Sequence, residues 1–106
     1  MSDVLHRLSR EIEARKGTDV KASYTASLLD RGEDTILKKV GEESVEFILA
    51  AKEGDAAHLV AEAADVWFHM LVMLSAKGLS ASDILAELER REGVSGHAEK
   101  AARGNV

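Results

Sequence analysis

Glu43 and Glu46 stand eleven and eight residues before Gly54, and Glu62 and Asp65 stand eight and eleven residues after it. Four carboxylates at mirrored distances from a glycine could form an oxygen-rich cage of the kind that holds a hard divalent cation. For the cage to close, the flanking segments must be helices folded back on one another at Gly54. A rise of about 1.5 Å per residue then puts the two levels about 12 and 16 Å from the turn, each acid facing a counterpart.

Rotation supports the same arrangement. At about 100° per residue, Lys39, Glu43, Glu46 and Ala50 share a narrow stripe, with Glu42 at its edge. Ile36, Leu37, Val40, Val45, Phe47, Ile48 and Leu49 cover most of the remaining circumference. Downstream, His58, Glu62, Asp65 and His69 form a second stripe among Leu59, Val60, Trp67, Phe68, Met70, Leu71 and Leu74. A helix facing water carries one wide polar face instead. The acids interrupt apolar cylinders, so partial burial is expected, and close buried carboxylates require a cation or a proton between them. The bland alternative is solvated charge. The chain has 19 acidic residues in 106, and the pairs Asp30/Glu33 and Glu89/Glu92 are read that way.

The elements that must position these groups are well punctuated. Ser2 or Asp3 caps a first amphipathic helix running to about Lys16, with Val4, Leu5, Leu8 and Ile12 on one face. A break at Gly17 to Asp19 precedes a short segment, Ser23 to Leu29, that stops at Gly32. The spacing predicts long helices over Asp34–Lys52 and Asp55–Lys77, the second ending at Gly78. Ser80 and Asp83 make a capping signature for a further helix with Ile84, Leu85 and Leu88 inward, closed by Gly93. The polar tail from Val94 to Val106 is expected to be partly ordered at best. Trp67, Met70 and Met73 are read as core. The expected fold is all-α: one domain over residues 1–106, a bundle of four to five helices around a central antiparallel hairpin. So much apolar circumference needs more cover than the flanking helices supply, and homodimerisation would provide it.

Composition narrows the function classes. There are no cysteines, which excludes disulfides and thiolate metal sites, and no prolines, which favours long helices. A net charge of −5 argues against nucleic acid or an anionic membrane as partner. No basic-then-apolar leader is evident, and no apolar run is expected to reach the length of a membrane span. A soluble cytoplasmic protein is expected.

The pattern Glu43-x-x-Glu46 followed by Glu62-x-x-Asp65 resembles the E-x-x-E…E-x-x-D signature of the all-α nucleoside triphosphate pyrophosphohydrolases. Ser23-Tyr24-Thr25-Ala26-Ser27-Leu28-Leu29, Lys38-Lys39-Val40-Gly41-Glu42-Glu43 and Glu62-Ala63-Ala64-Asp65 are similar to segments of the phosphoribosyl-ATP pyrophosphatase family of histidine biosynthesis. So are Leu85 to Arg91 and Ser95-Gly96 followed by Glu99-Lys100-Ala101. The similarity runs from about Leu5 to Arg103; Trp67-Phe68 departs from it, a packing variation with no chemical consequence.

The resemblance implies hydrolysis of phosphoribosyl-ATP to phosphoribosyl-AMP and pyrophosphate, with Mg²⁺ as cofactor and a homodimeric state. It makes Glu43, Glu46, Glu62 and Asp65 the metal ligands. Glu42, adjacent to their stripe, is read as a ligand, as the base that orients water, or as a solvated charge. Lys39 reaches a phosphate oxygen or pairs with Glu43; Lys38 points elsewhere unless it serves a partner subunit. Ser23, Thr25, Arg91, Ser95 and Lys100 are candidates for gripping phosphate. His58 and His69 are read as supporting or packing groups, because the superfamily uses oxygen ligands. The alternatives are a house-cleaning nucleotide pyrophosphohydrolase and a non-catalytic helical dimerisation module.

Overall fold

The computed structural model describes residues 2–103, and among these the only regular elements are six helices. They are α1 (Ser2–Ala14), α2 (Tyr24–Arg31), α3 (Glu33–Glu53), α4 (Ala56–Ala76), α5 (Ala81–Arg91) and α6 (Gly96–Arg103). Local chemistry sets most of the boundaries. The Ser23 hydroxyl caps α2 by accepting from the Ala26 amide at 3.1 Å. Asp55 caps α4 by accepting from the His58 amide at 3.2 Å. Ser80 and Asp83 form the reciprocal box that opens α5. Between α3 and α4 the chain turns at Gly54, which adopts φ +84°, a left-handed conformation that a side chain would strain.

Two expectations are revised. The tail contains α6, a sixth helix where four or five were expected, because His97 to Arg103 is rich in good helix formers. The last three residues of that tail lie outside the described residues. And α4 is, by length and composition alone, long and apolar enough to cross a membrane, although no apolar run of that reach was anticipated. Its acids and histidines are isolated among apolar residues and so leave the average hydropathy high.

Packing is uneven along the central pair. The most extensive helix contact is α3 with α4; α2 rests on both, and α1 lies across α4 and α5. The buried cluster comprises Ile12, Leu28, Ile36, Leu71, Val72 and Ala81, with Leu8, Phe68 and Ile84 among the residues packed on it. Ile36 and Val72 each stand eighteen residues from Gly54, so the core gathers at the end of α3 and α4 remote from the turn. Polar bonds pin α1 there: Lys16 Nζ donates to the Ser75 carbonyl at 2.8 Å, and Ser75 Oγ donates to Glu13 at 2.8 Å.

Nearer the turn there is no such cover. Val45, Ile48 and Leu49 of α3 are exposed, as are Val60 (68%) and Trp67 (58%) of α4. Met73 packs on the core as expected, but Trp67 and Met70 do not belong to it. A helical wheel places them on an apolar face without saying whether another element of the same chain covers that face.

Candidate active site

The mirrored acids do converge, in part. Carboxylate oxygens of Glu43 on α3 and of Glu62 and Asp65 on α4 all lie within 4.8 Å of one another. Glu43 and Glu62 are half-buried and Asp65 is exposed. Glu46 is exposed and lies outside this group, although one turn of helix leaves its Cβ only about 5–6 Å from that of Glu43.

Glu62 carries the informative detail. Its side chain is 16% exposed, and Oε2 is buried with no hydrogen-bond partner among the described residues. Its other oxygen lies 3.4 Å from His58 Nε2. An unpartnered carboxylate oxygen costs free energy unless something else satisfies it. Beside two further carboxylates, the fitting partner is a cation. The donor set is all oxygen, as Mg²⁺ or Ca²⁺ prefer, and the three acids therefore fit a divalent metal.

Histidines flank the acids on α4. His58 Nδ1 donates to Glu53 at 2.8 Å, and this bond, with a smaller contribution from Glu62, raises the imidazole above its ordinary pKa. One turn beyond Asp65, His69 is buried with its Nδ1 2.7 Å from the Asp65 carbonyl and its Nε2 2.9 Å from the Tyr24 hydroxyl. On α3, Lys39 pairs with Glu42 at 3.5 Å rather than with Glu43. Tyr24 first, then Glu42 and Glu43, raise the Lys39 ammonium above its usual value.

A family model described as phosphoribosyl-ATP pyrophosphohydrolase matches residues 5–92, a span that includes all four acids, Lys39 and Arg91. The chain belongs to this family. It is 58% identical over 101 residues to the phosphoribosyl-ATP pyrophosphatase of Nitrosospira multiformis, covering 95% of this chain and 84% of that protein. The corresponding protein of Methylibium petroleiphilum is 57% identical with the same coverage. That of Cereibacter sphaeroides is 55% identical, over 95% of this chain and 98% of its own length.

The remaining sequence candidates are spread more widely. Ser23 and Thr25 open α2 and are half-buried. Lys38 is exposed on α3. Arg91 ends α5, a helix packed chiefly on α1, and its Nε donates to Glu87 at 2.9 Å. Arg90 and then Arg91 hold the Glu87 carboxyl down at about 2. Ser95 and Lys100 are exposed and lie beyond the span matched by the family model. Sequence reasoning missed Tyr24, although it sits between two residues that were singled out. No periodicity reports a partner 45 residues away.

Proposed function

We propose that this protein hydrolyses 1-(5-phospho-β-D-ribosyl)-ATP to the AMP derivative and pyrophosphate, the second step of histidine biosynthesis, in the cytoplasm. Water adds across the α–β phosphoanhydride: its oxygen ends on one phosphorus, the bridging oxygen leaves with the other, and one proton is released. The observation that carries the reading is the convergence of Glu43, Glu62 and Asp65, with one Glu62 oxygen buried and unpartnered among the described residues, in a chain that belongs to this family.

Glu43, Glu62 and Asp65 would hold Mg²⁺, with Glu46 joining by a change of rotamer. The ion, when bound, neutralises phosphate oxygens and orders water for displacement. Lys39 binds a phosphate oxygen. That contact draws it away from Glu42, whose carboxylate is then available to orient or deprotonate the attacking water. Ser23 accepts from the Ala26 amide and so keeps its own hydroxyl proton to donate to phosphate, and Thr25 stands beside it. Lys38, Arg91, Ser95 and Lys100 add cationic and hydroxyl contacts to the phosphates from the rim, in part across a subunit boundary.

The chain acts as a single all-α domain over residues 1–106, built on an antiparallel α3–α4 hairpin. It works as a homodimer in which the exposed apolar faces near Gly54, including Ile48, Val60 and Trp67, are covered by the partner. That surface is read as a subunit interface rather than a membrane-facing one. The test is pyrophosphate release from phosphoribosyl-ATP beside ATP and deoxynucleoside triphosphates, with and without Mg²⁺. The reading requires Mg²⁺-dependent turnover with clear preference for phosphoribosyl-ATP. Equal turnover of ordinary nucleotides would indicate a house-cleaning enzyme, and no release from any of them a dimerisation module.

A further inference from the structure

Tyr24 is 53% exposed, yet its hydroxyl is tied to His69, a side chain that is only 4% exposed. Both histidine nitrogens are committed. Nδ1 lies 2.7 Å from the carbonyl oxygen of Asp65, and a carbonyl can only accept, so Nδ1 carries the proton. In the neutral ring Nε2 is then the acceptor, and the Tyr24 hydroxyl donates to it at 2.9 Å. Rings add a second attachment. Tyr24 stacks on Phe68 with centroids 6.2 Å apart, and Phe68 meets His69 edge-on at 5.1 Å.

The link adds a polar tie to the packing of Leu28, which seats α2 in the buried cluster with Leu71 and Val72 of α4. α2 has eight residues and follows a turn-rich stretch, and a helix that short has little stability of its own. Its first turn nevertheless carries Ser23 and Thr25, while His69 is one turn from Asp65 on α4.

We propose that Tyr24 and His69 are positioning residues for the hydrolytic site, holding the Ser23 and Thr25 hydroxyls of α2 at a fixed distance from the acid group of α4, so that one triphosphate chain spans both. The inference rests on the reading of Glu43, Glu62 and Asp65 as metal ligands. Neither residue needs to touch the reacting atoms or change its protonation. Their work is to keep α2 seated, and its loss weakens substrate binding more than the chemical step.

The test is a double-mutant cycle with Tyr24→Phe and His69→Asn. Phenylalanine keeps the ring on Phe68 and removes one oxygen. Asparagine keeps a donor near the Nδ1 position for the Asp65 carbonyl but cannot reach Tyr24. Steady-state kinetics with phosphoribosyl-ATP at saturating Mg²⁺, a Mn²⁺ dissociation constant and a melting temperature are measured for each. Each single variant should raise KM by about five- to tenfold and leave kcat within about twofold, with Mn²⁺ affinity unchanged. The double variant should be no worse than the worse single, because both cut the same link. His69→Gln, whose amide reaches the Nε2 position, should recover much of the KM. A wild-type KM in Tyr24→Phe, additive effects in the double, or a loss accounted for wholly by melting would overturn the proposal. If His69→Asn does not fold, Tyr24→Phe decides alone. Glu62→Gln is assayed in parallel: its inactivity beside a normal Tyr24→Phe rejects only the positioning link, whereas its full activity rejects the metal-site reading beneath it.

Discussion

Replacing Glu62 with glutamine should change stability in opposite directions with and without metal. In the metal-free protein Glu62 Oε2 is buried without a partner, and its carboxylate faces those of Glu43 and Asp65. An unsatisfied buried acceptor costs about 1–3 kcal/mol. Against this stands the contact of Glu62 with the exposed His58 at 3.4 Å, which offsets only a small part of that cost. Glutamine keeps the volume and removes the charge, so metal-free Glu62→Gln should be more stable than wild type by about 1 kcal/mol. A ligand bound only by the folded state at a hundred times its dissociation constant adds about 2.7 kcal/mol. At about 4–8 °C per kcal/mol, the wild-type midpoint should rise by about 10–20 °C. A tenfold loss of affinity at the same Mg²⁺ concentration roughly halves that gain, to about 1.4 kcal/mol. Thermal unfolding followed by circular dichroism across a Mg²⁺ titration, with a chelator as reference, measures both effects. A variant less stable than wild type without metal, yet shifted equally by Mg²⁺, would refute the reasoning. Glu62 would then be a structural residue.

Lys39→Met should lower kcat/KM for phosphoribosyl-ATP by about tenfold or more while moving the melting temperature little, since its ion pair with Glu42 is at the surface. The check is Michaelis kinetics beside thermal melts. Glu87, held down at about 2 by Arg90 and Arg91, favours the fold most fully above its unfolded value of about 4.5 and ceases to as pH falls through about 2. Melting curves between pH 5 and pH 2 should therefore fall less steeply in Glu87→Gln than in wild type. One alanine inserted between Asp55 and Glu62 should turn Glu62 and Asp65 by about 100° and move them about 1.5 Å, abolishing metal affinity. One glycine beside Gly54 should be milder, because the loop absorbs it; equal activity in the two folded variants would contradict the paired-helix site.

Where local chemistry decides, the sequence was readable. The Ser80/Asp83 box opens α5 as its spacing predicts, because each side chain satisfies an amide within three residues. Both long helices begin and end within one residue of the expected limits, and three of the four mirrored acids meet. Height and rotation on a helix are periodic, so spacing reports them. What lies opposite is not periodic. Nothing in the spacing tells Lys39 to choose Glu42 over Glu43, since both are within reach and a rotamer decides. Trp67 follows a core-like pattern yet faces outward. Helix α6 was missed because polar termini ordinarily remain solvated. The Tyr24–His69 link joins residues from α2 and α4, and only tertiary packing brings them together.

In the proposed function, Glu43, Glu62 and Asp65 hold the metal ion on which pyrophosphate release depends. Diffraction from crystals of the active protein grown with Mn²⁺, recorded near the manganese absorption edge, addresses it directly. An anomalous peak is expected within about 2.5 Å of oxygens from all three acids, with phosphate oxygens or waters completing the shell. Manganese bound elsewhere, with these three carboxylates uncoordinated in crystals that turn over substrate, would contradict it.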